Sequence, residues 1–331
     1  MTVARSMLIN LSATPFYHCM TRCVRRSYLC GTNKETGQDY SHRKYWLVAR
    51  FKELASIFAI KICAYAVMDN HYHLILFVDE AQSQRWSDEE VKARWGQLFR
   101  QDAEKLEEKG LSPLFIQQKI MLWRQRLASI SWFMRCLNEP IARLSNKEDN
   151  CSGRFWEGRY KSQALLDEGA VLSAMAYVDL NPIRANLAST PENSDFTSIQ
   201  ERIQYFVKQQ TQKCDEAKQP KTLMAFANNV NLEKSPFPLI DFKLSDYLYL
   251  VEITGKILRD DKKGAIPQDL APILSRINLS SGGWLSITSQ LEEQFYLSMG
   301  NELSMMDFGN RTKISKPKGI TAARQCYLPA A

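Results

Sequence analysis

Several things are missing from this 331-residue chain, and each absence excludes something. No apolar run approaches the roughly 18 residues of a membrane span, and the longest, Leu74-Ile75-Leu76-Phe77-Val78, is strand-sized. The start, MTVARSMLINLSATPF, carries one Arg and only a broken apolar stretch, so a secretory leader is not expected. The eight cysteines (19, 23, 30, 63, 136, 151, 214 and 326) are scattered through a chain too large to need disulfide staples, and they read as reduced thiols. There are no internal repeats. With 45% hydrophobic and 24% charged residues, the composition excludes a disordered, collagen-like or coiled-coil protein.

What charge there is has a location. The net charge is +7, and residues 1–63 alone hold ten Lys/Arg against three acids. The first fifth of the chain therefore carries the whole excess. That pattern suits a polyanionic partner, nucleic acid first, or a solvated helix face.

The apolar spacing predicts alternating strands and helices up to about residue 190. Phe16–Val24 reads as a strand and His42–Ile60 as a helix. Lys61–Met68 and Tyr72–Val78 flank the turn pair Asp69-Asn70 and read as a hairpin or two adjacent strands. Trp132–Leu144 reads as a helix that Pro140 should kink or break, and Arg154–Leu165 as a strand. Asp167 is a suitable N-cap for a helix through Ala170–Leu180, ending before Pro182. The order β-α-β-β-α-β-α predicts an α+β fold, a ferredoxin-like split βαβ antiparallel sheet with a helical C-terminal extension. Residues 1–200 are expected as one domain, with a charged helical insertion at 80–126. A polar linker at 201–236, a small helical accessory domain at 237–300 and a basic, disordered tail at 301–331 should follow.

Only four histidines are present, and two of them are His71 and His73. On a strand, residues two apart share a face, so both imidazoles point the same way. They could be ligands to one metal ion, or two polar rings satisfied by neighbours. Asp69 alternates onto that face and is a candidate further ligand. Tyr177 and Asn181, four apart on a helix, share a face with Ala170 and Ala174. This pair could be a reactive tyrosine with a helper, or a helix-end tyrosine with an Asn closing the last turn. Arg154-Phe155-Trp156-Glu157-Gly158-Arg159-Tyr160-Lys161 interleaves cations and aromatics, which suits single-stranded nucleic acid or an amphipathic strand. The group Cys19-x3-Cys23 with His18 and Cys30 is too widely spaced along a strand for a zinc site.

Asn70-His71-Tyr72-His73-Leu74, then Arg154-Phe155-Trp156-Glu157, then Tyr177-Val178-Asp179-Leu180-Asn181-Pro182 fall in one order along the chain. That order resembles the His-hydrophobic-His tyrosine transposases, especially the REP-associated and insertion-sequence-200-like groups. The resemblance spans residues 14–190. It implies that His71 and His73, with Asn181, hold Mg²⁺ or Mn²⁺, and that Tyr177 is the nucleophile forming a 5′-phosphotyrosine. The implied substrate is single-stranded, hairpin-bearing DNA, the implied location the bacterial cytoplasm at the nucleoid, and the implied state a monomer or homodimer. Arg22, Arg25, Arg26, Arg154, Trp156, Arg159 and Lys161 are the expected DNA contacts. The rival readings are a catalytically inactive DNA- or RNA-binding relative and a metal hydrolase or oxygenase using the histidine pair.

Overall fold

The computed structural model describes residues 8–24, 30–32, 37–106, 111–212, 219–228, 235, 238–259, 266–314 and 316–329. Arg25 and Arg26, two of the expected DNA contacts, lie outside them. The described chain is a mixed α+β structure around one sheet. Strand β1 (Phe16–Arg22) is followed by α1 (His42–Ile57), then β2 (Ile60–Val67) and β3 (His71–Val78). Four helices occupy the insertion: α2 (Glu80–Arg85), α3 (Asp88–Leu98), α4 (Arg100–Leu106) and α5 (Pro113–Leu127). Next come α6 (Ile130–Glu148), β4 (Lys161–Leu165), α7 (Glu168–Asp179) and the short α8 (Asn181–Arg184). The remainder holds α9 (Ser198–Gln212), α10 (Leu244–Arg259), α11 (Ala271–Arg276), α12 (Ser281–Gln294), β5 (Ser298–Met299), α13 (Glu302–Thr312) and α14 (Ile320–Cys326). The sheet order is β2-β3-β1-β4-β5, antiparallel except for the β4–β5 pair.

Register sorts the strand residues between two faces. His18 stands opposite Ile75, Met20 opposite His73 and Arg22 opposite His71, while Gln163 of β4 lies across from His18. Residues directly opposite share a face, so His18, Arg22, His71, His73 and Gln163 all project to one side. The alternate residues Tyr17, Cys19, Tyr72, Leu74 and Leu76 project to the other side. There they join Leu47, Phe51 and Leu54 of α1 and Phe133 and Leu137 of α6 in one apolar core. The helix α7 covers the histidine face. Its Gly169, Ala170, Ala174 and Ala176 are buried, and a Cβ on Gly169 would stand 2.6 Å from the Ile277 carbonyl, so at that position the extension packs against α7 too closely for a side chain.

Pro140 does not break α6, which runs through it to Glu148. A proline removes the bond to the carbonyl four residues back. That carbonyl, on Cys136, instead accepts from Arg50 Nε at 3.2 Å. The expected strand Arg154–Leu165 is ordered as a strand only from Lys161. Before it, Gly153 takes a positive φ of 105° and Trp156 bridges Cys23, so the cation–aromatic stretch is a loop.

Two further expectations are corrected. Residues 201–236 are not simply a linker, because α9 runs through Gln212, and Met224 and Phe226 are buried. Met224 N also donates to the Ile62 carbonyl at 2.8 Å. The tail from 301 is folded rather than disordered: Met305, Phe308, Ala323 and Cys326 are buried. The cap of α7 anchors it. Asp167 caps α7 by accepting from Ala170 N, and also accepts from Asn301 N at 2.7 Å and Tyr327 Oη at 2.8 Å. Trp284, Leu291 and Met305 pack in one apolar cluster with Ala174 and Met175 of α7. No described helix is long and apolar enough to cross a membrane.

Candidate functional site

The site is built where the first half of β3 meets the end of α7. His71 opens β3 directly after Asn70, whose Oδ1 lies 2.6 Å from His71 Nδ1. A carbonyl oxygen only accepts, so Nδ1 carries the proton and Nε2 keeps its lone pair. His73 is fully buried, its ring centroid 4.9 Å from that of His71 and nearly perpendicular to it. Its Nδ1 shares a hydrogen bond with His18 Nε2 at 2.9 Å. Its Nε2 is buried with no partner. His18 in turn lies 3.4 Å from Gln163 Oε1.

Burial pushes all three imidazoles down from their ordinary range, His71 to about 4 with Arg22 adding repulsion. At neutral pH the rings are therefore uncharged, the form that can give a lone pair to a cation. The orphaned Nε2 of His73 and the free Nε2 of His71 fit a divalent ion. Among the described residues, however, no three His, Cys, Asp or Glu side chains form a metal-holding group. A two-imidazole donor set suits an ion that keeps several waters.

Tyr177 is 8% exposed at the end of α7. Its ring stands edge-on to His73 at 6.0 Å and to His18 at 6.3 Å. The Arg184 guanidinium lies 3.7 Å from the ring centroid, held by the carbonyls of Tyr177 at 2.7 Å and Thr288 at 2.9 Å. The Tyr177 hydroxyl donates to Glu292 Oε1 at 3.3 Å, and that same oxygen is 3.8 Å from His73 Nδ1. Burial pushes the tyrosine up to about 12, Arg184 pulls it back, and Glu292 raises it further.

The structure thus brings His71, His73 and Tyr177 together. Asn181 is buried four residues beyond Tyr177, at the start of α8, but no described hydrogen bond joins its amide to either histidine. Asp69 faces elsewhere: its Oδ1 takes the Lys44 ammonium at 2.8 Å. Cys19, Cys23 and Cys30 are buried on the apolar side. Arg22 stands beside His71 with its Nε buried and unpartnered. Arg154, Arg159 and Lys161 are exposed. Trp156 is half-buried, its Nε1 donating to the Asn138 carbonyl at 2.9 Å and its ring edge-on to Tyr72.

Sequence reasoning missed four participants. His18 was read only with the cysteines, although its strand position, once paired with β3, puts it on the histidine face. Arg184 stands in the run after Tyr177 and could have been noticed there. Gln163 and Glu292 carried no local signal, and Glu292 lies 115 residues beyond Tyr177.

Comparison with known proteins adds little at sequence level. No protein-family profile matches the chain, and no curated protein matches it. Among solved structures, the chain is similar to a REP-associated tyrosine transposase bound to a REP hairpin, with a TM-score of 0.36 and 11% identity. That match covers 57% of this chain and 79% of the other.

Proposed function

We propose that the protein is a metal-dependent single-strand DNA transposase or endonuclease that cleaves and rejoins hairpin-bearing DNA through Tyr177, on a split βαβ sheet. The observation that supports this reading is a phenol from α7 set edge-on to two neutral, buried imidazoles of β1 and β3, the latter in ring contact with a third, half-buried imidazole at the start of β3. A protein that only needed a packed sheet has no use for three histidines there, since each buried polar ring costs stability unless it is paired.

In the proposed reaction the Tyr177 oxygen forms a bond to phosphorus and the bond to the 3′ oxygen breaks. The tyrosyl proton ends on that oxygen as a free 3′-OH, and the 5′-phosphate stays on the enzyme. A Mg²⁺ or Mn²⁺ ion on His71 and His73, with the Asn181 amide as a further donor, supplies charge neutralisation and polarisation of the phosphate when bound. The chain's own groups do the rest. Burial keeps the imidazoles neutral, Asn70 fixes the His71 ring, and Arg184 beneath the phenol favours the tyrosinate as its proton leaves. Because the covalent link conserves the bond, rejoining needs no nucleotide cofactor.

The test is incubation of the purified protein with labelled single-stranded hairpin DNA and Mn²⁺. A denaturant-resistant protein–DNA adduct is the expected result. Tight binding with no adduct at any metal concentration would establish the inactive binding relative instead.

A further inference from the structure

Outside the tyrosine site, a groove of about 440 Å³ runs between α6 and the loop at 153–160. Its walls carry Arg135, Arg143 and Arg159, with one carboxylate, Glu139, among them. Arg135, Glu139 and Arg143 are spaced i, i+4 and i+8 on α6, so they share a helix face and span about 12 Å of it. Glu139 pairs with both guanidinium groups at once, with Arg135 Nε at 3.3 Å and also with Arg143. Arg135 and Arg143 are 58% and 78% exposed, so neither is committed to the core. The floor is polar and rigid: the Asn138 carbonyl holds Trp156 Nε1, and its side-chain oxygen holds the Tyr72 hydroxyl at 2.6 Å.

The loop that walls the groove is also tied to β1. Glu157 N of its loop donates to the Arg22 carbonyl at 2.8 Å, and Arg22 is the cross-strand partner of His71. Tyr72 lies on the groove's side of the sheet and Arg22 and His71 on the other, so the groove abuts the strands that carry the histidines from the opposite face.

We propose that this groove is a binding site for the phosphodiester backbone of a single-stranded DNA segment, with Arg135, Arg143 and Arg159 as its phosphate contacts. Glu139 holds two of those guanidinium groups in the place of a phosphate until the strand displaces it. The 12 Å of cationic helix fits a run of backbone better than a single anion, and guanidinium forks match phosphate oxygens in pairs. The choice of DNA as the polyanion rests on the functional reading above.

Opposite charge changes test it. Binding of a labelled oligothymidylate is followed by fluorescence anisotropy in EDTA at several salt concentrations, on the full chain and on Tyr177→Phe, so that tyrosine chemistry plays no part. The double variant Arg135→Ala/Arg143→Ala should bind about tenfold more weakly and lose about 1.4 from the salt slope, since each neutralised phosphate of a single strand releases about 0.7 of a counterion. Glu139→Gln should bind about threefold more tightly, because the competing carboxylate is gone. Arg135 and Arg143 are exposed and Glu139 is half-buried, and thermal melts confirm folding. Wild-type affinity and slope in the double variant, or weaker binding by Glu139→Gln, overturns the proposal. Capture of an acidic peptide with no affinity for the oligonucleotide overturns it as well. Failure of the functional reading shows separately: the wild type then binds through the groove yet forms no adduct with metal.

Discussion

The two faces of the central sheet are made from the same strands, residue by residue in alternation, and they have opposite contents. One face presents Tyr17, Cys19, Tyr72, Leu74 and Leu76 to α1 and α6, and apolar packing closes it completely. The other presents His18, Arg22, His71, His73 and Gln163 on the side that α7 covers, with a buried imidazole nitrogen left unpaired. A sheet can afford this division because its period of two separates neighbours onto different surfaces. The apolar face supplies stability, and that surplus lets the polar face keep groups that fold poorly.

The largest effect expected concerns the polar face. Tyr177→Phe should reduce adduct formation below detection while leaving DNA affinity within about twofold, because the ring still packs on Arg184 and His73. Quantifying covalent complex on denaturing gels beside an anisotropy titration checks both halves. Adduct from the Phe variant would move the nucleophile to another tyrosine.

Stability should separate the faces in the reverse sense. Leu74→Ala is expected to cost about 2–5 kcal/mol, since it opens a cavity in a closed core. His71→Ala, at the half-buried strand start, should cost about 1 kcal/mol or less and yet remove metal-dependent cleavage. Urea denaturation of the two variants side by side measures the contrast. Equal losses would mean that the histidine face is as structural as the other.

Glu292 sharpens the comparison further, since it reaches the polar face from the C-terminal extension. Glu292→Ala should slow adduct formation about tenfold with DNA affinity unchanged, the scale of one hydrogen bond to a charged group. Glu292→Gln keeps an acceptor oxygen and should recover most of that rate. Single-turnover rates decide it, and identical rates in all three proteins would remove Glu292 from the site.

The smallest effect is a pH dependence seated behind the polar face. Asp179 is fully buried, and burial pushes it up to about 6, against hydrogen bonds from Ser198, Tyr247 and Ile199 N that pull it down. Its folded-state value lies above the ordinary 3.8, so between those limits the folded chain holds an extra proton. Its stabilising contribution is therefore fully present below pH 3.8 and lost as pH rises through 6. Stability curves of wild type and Asp179→Asn should diverge across that window, with the wild type declining relative to the variant. Parallel curves would show that Asp179 stays charged throughout.

Periodicity was enough to read much of the scaffold: β1, α1, the β2–β3 hairpin and α7 with its Asp167 cap lie close to where their residue patterns place them. Those patterns are local, and each reports which side of one element is apolar. The loop at 153–160 and the folded tail were misread for the opposite reason. Trp156 turns inward for the Asn138 carbonyl, and the tail is held by Asp167, each partner remote in sequence.

The sequence by itself determined that His71 and His73 share a face, because the strand period leaves no alternative, whereas Asn181 opens a second helix, α8, instead of continuing the face of Tyr177. Only the tertiary structure decided that these faces meet. Pairing β1 with β3 added His18, the turn after α7 set Arg184 under the phenol, and packing of α12 on α7 delivered Glu292 to the tyrosine hydroxyl. The tertiary structure also left the Asn181 amide without a described bond to the histidines and gave Asp69 to Lys44 of α1. Spacing along a chain says which way a side chain points, but which atoms come to stand opposite it depends on elements a hundred residues away.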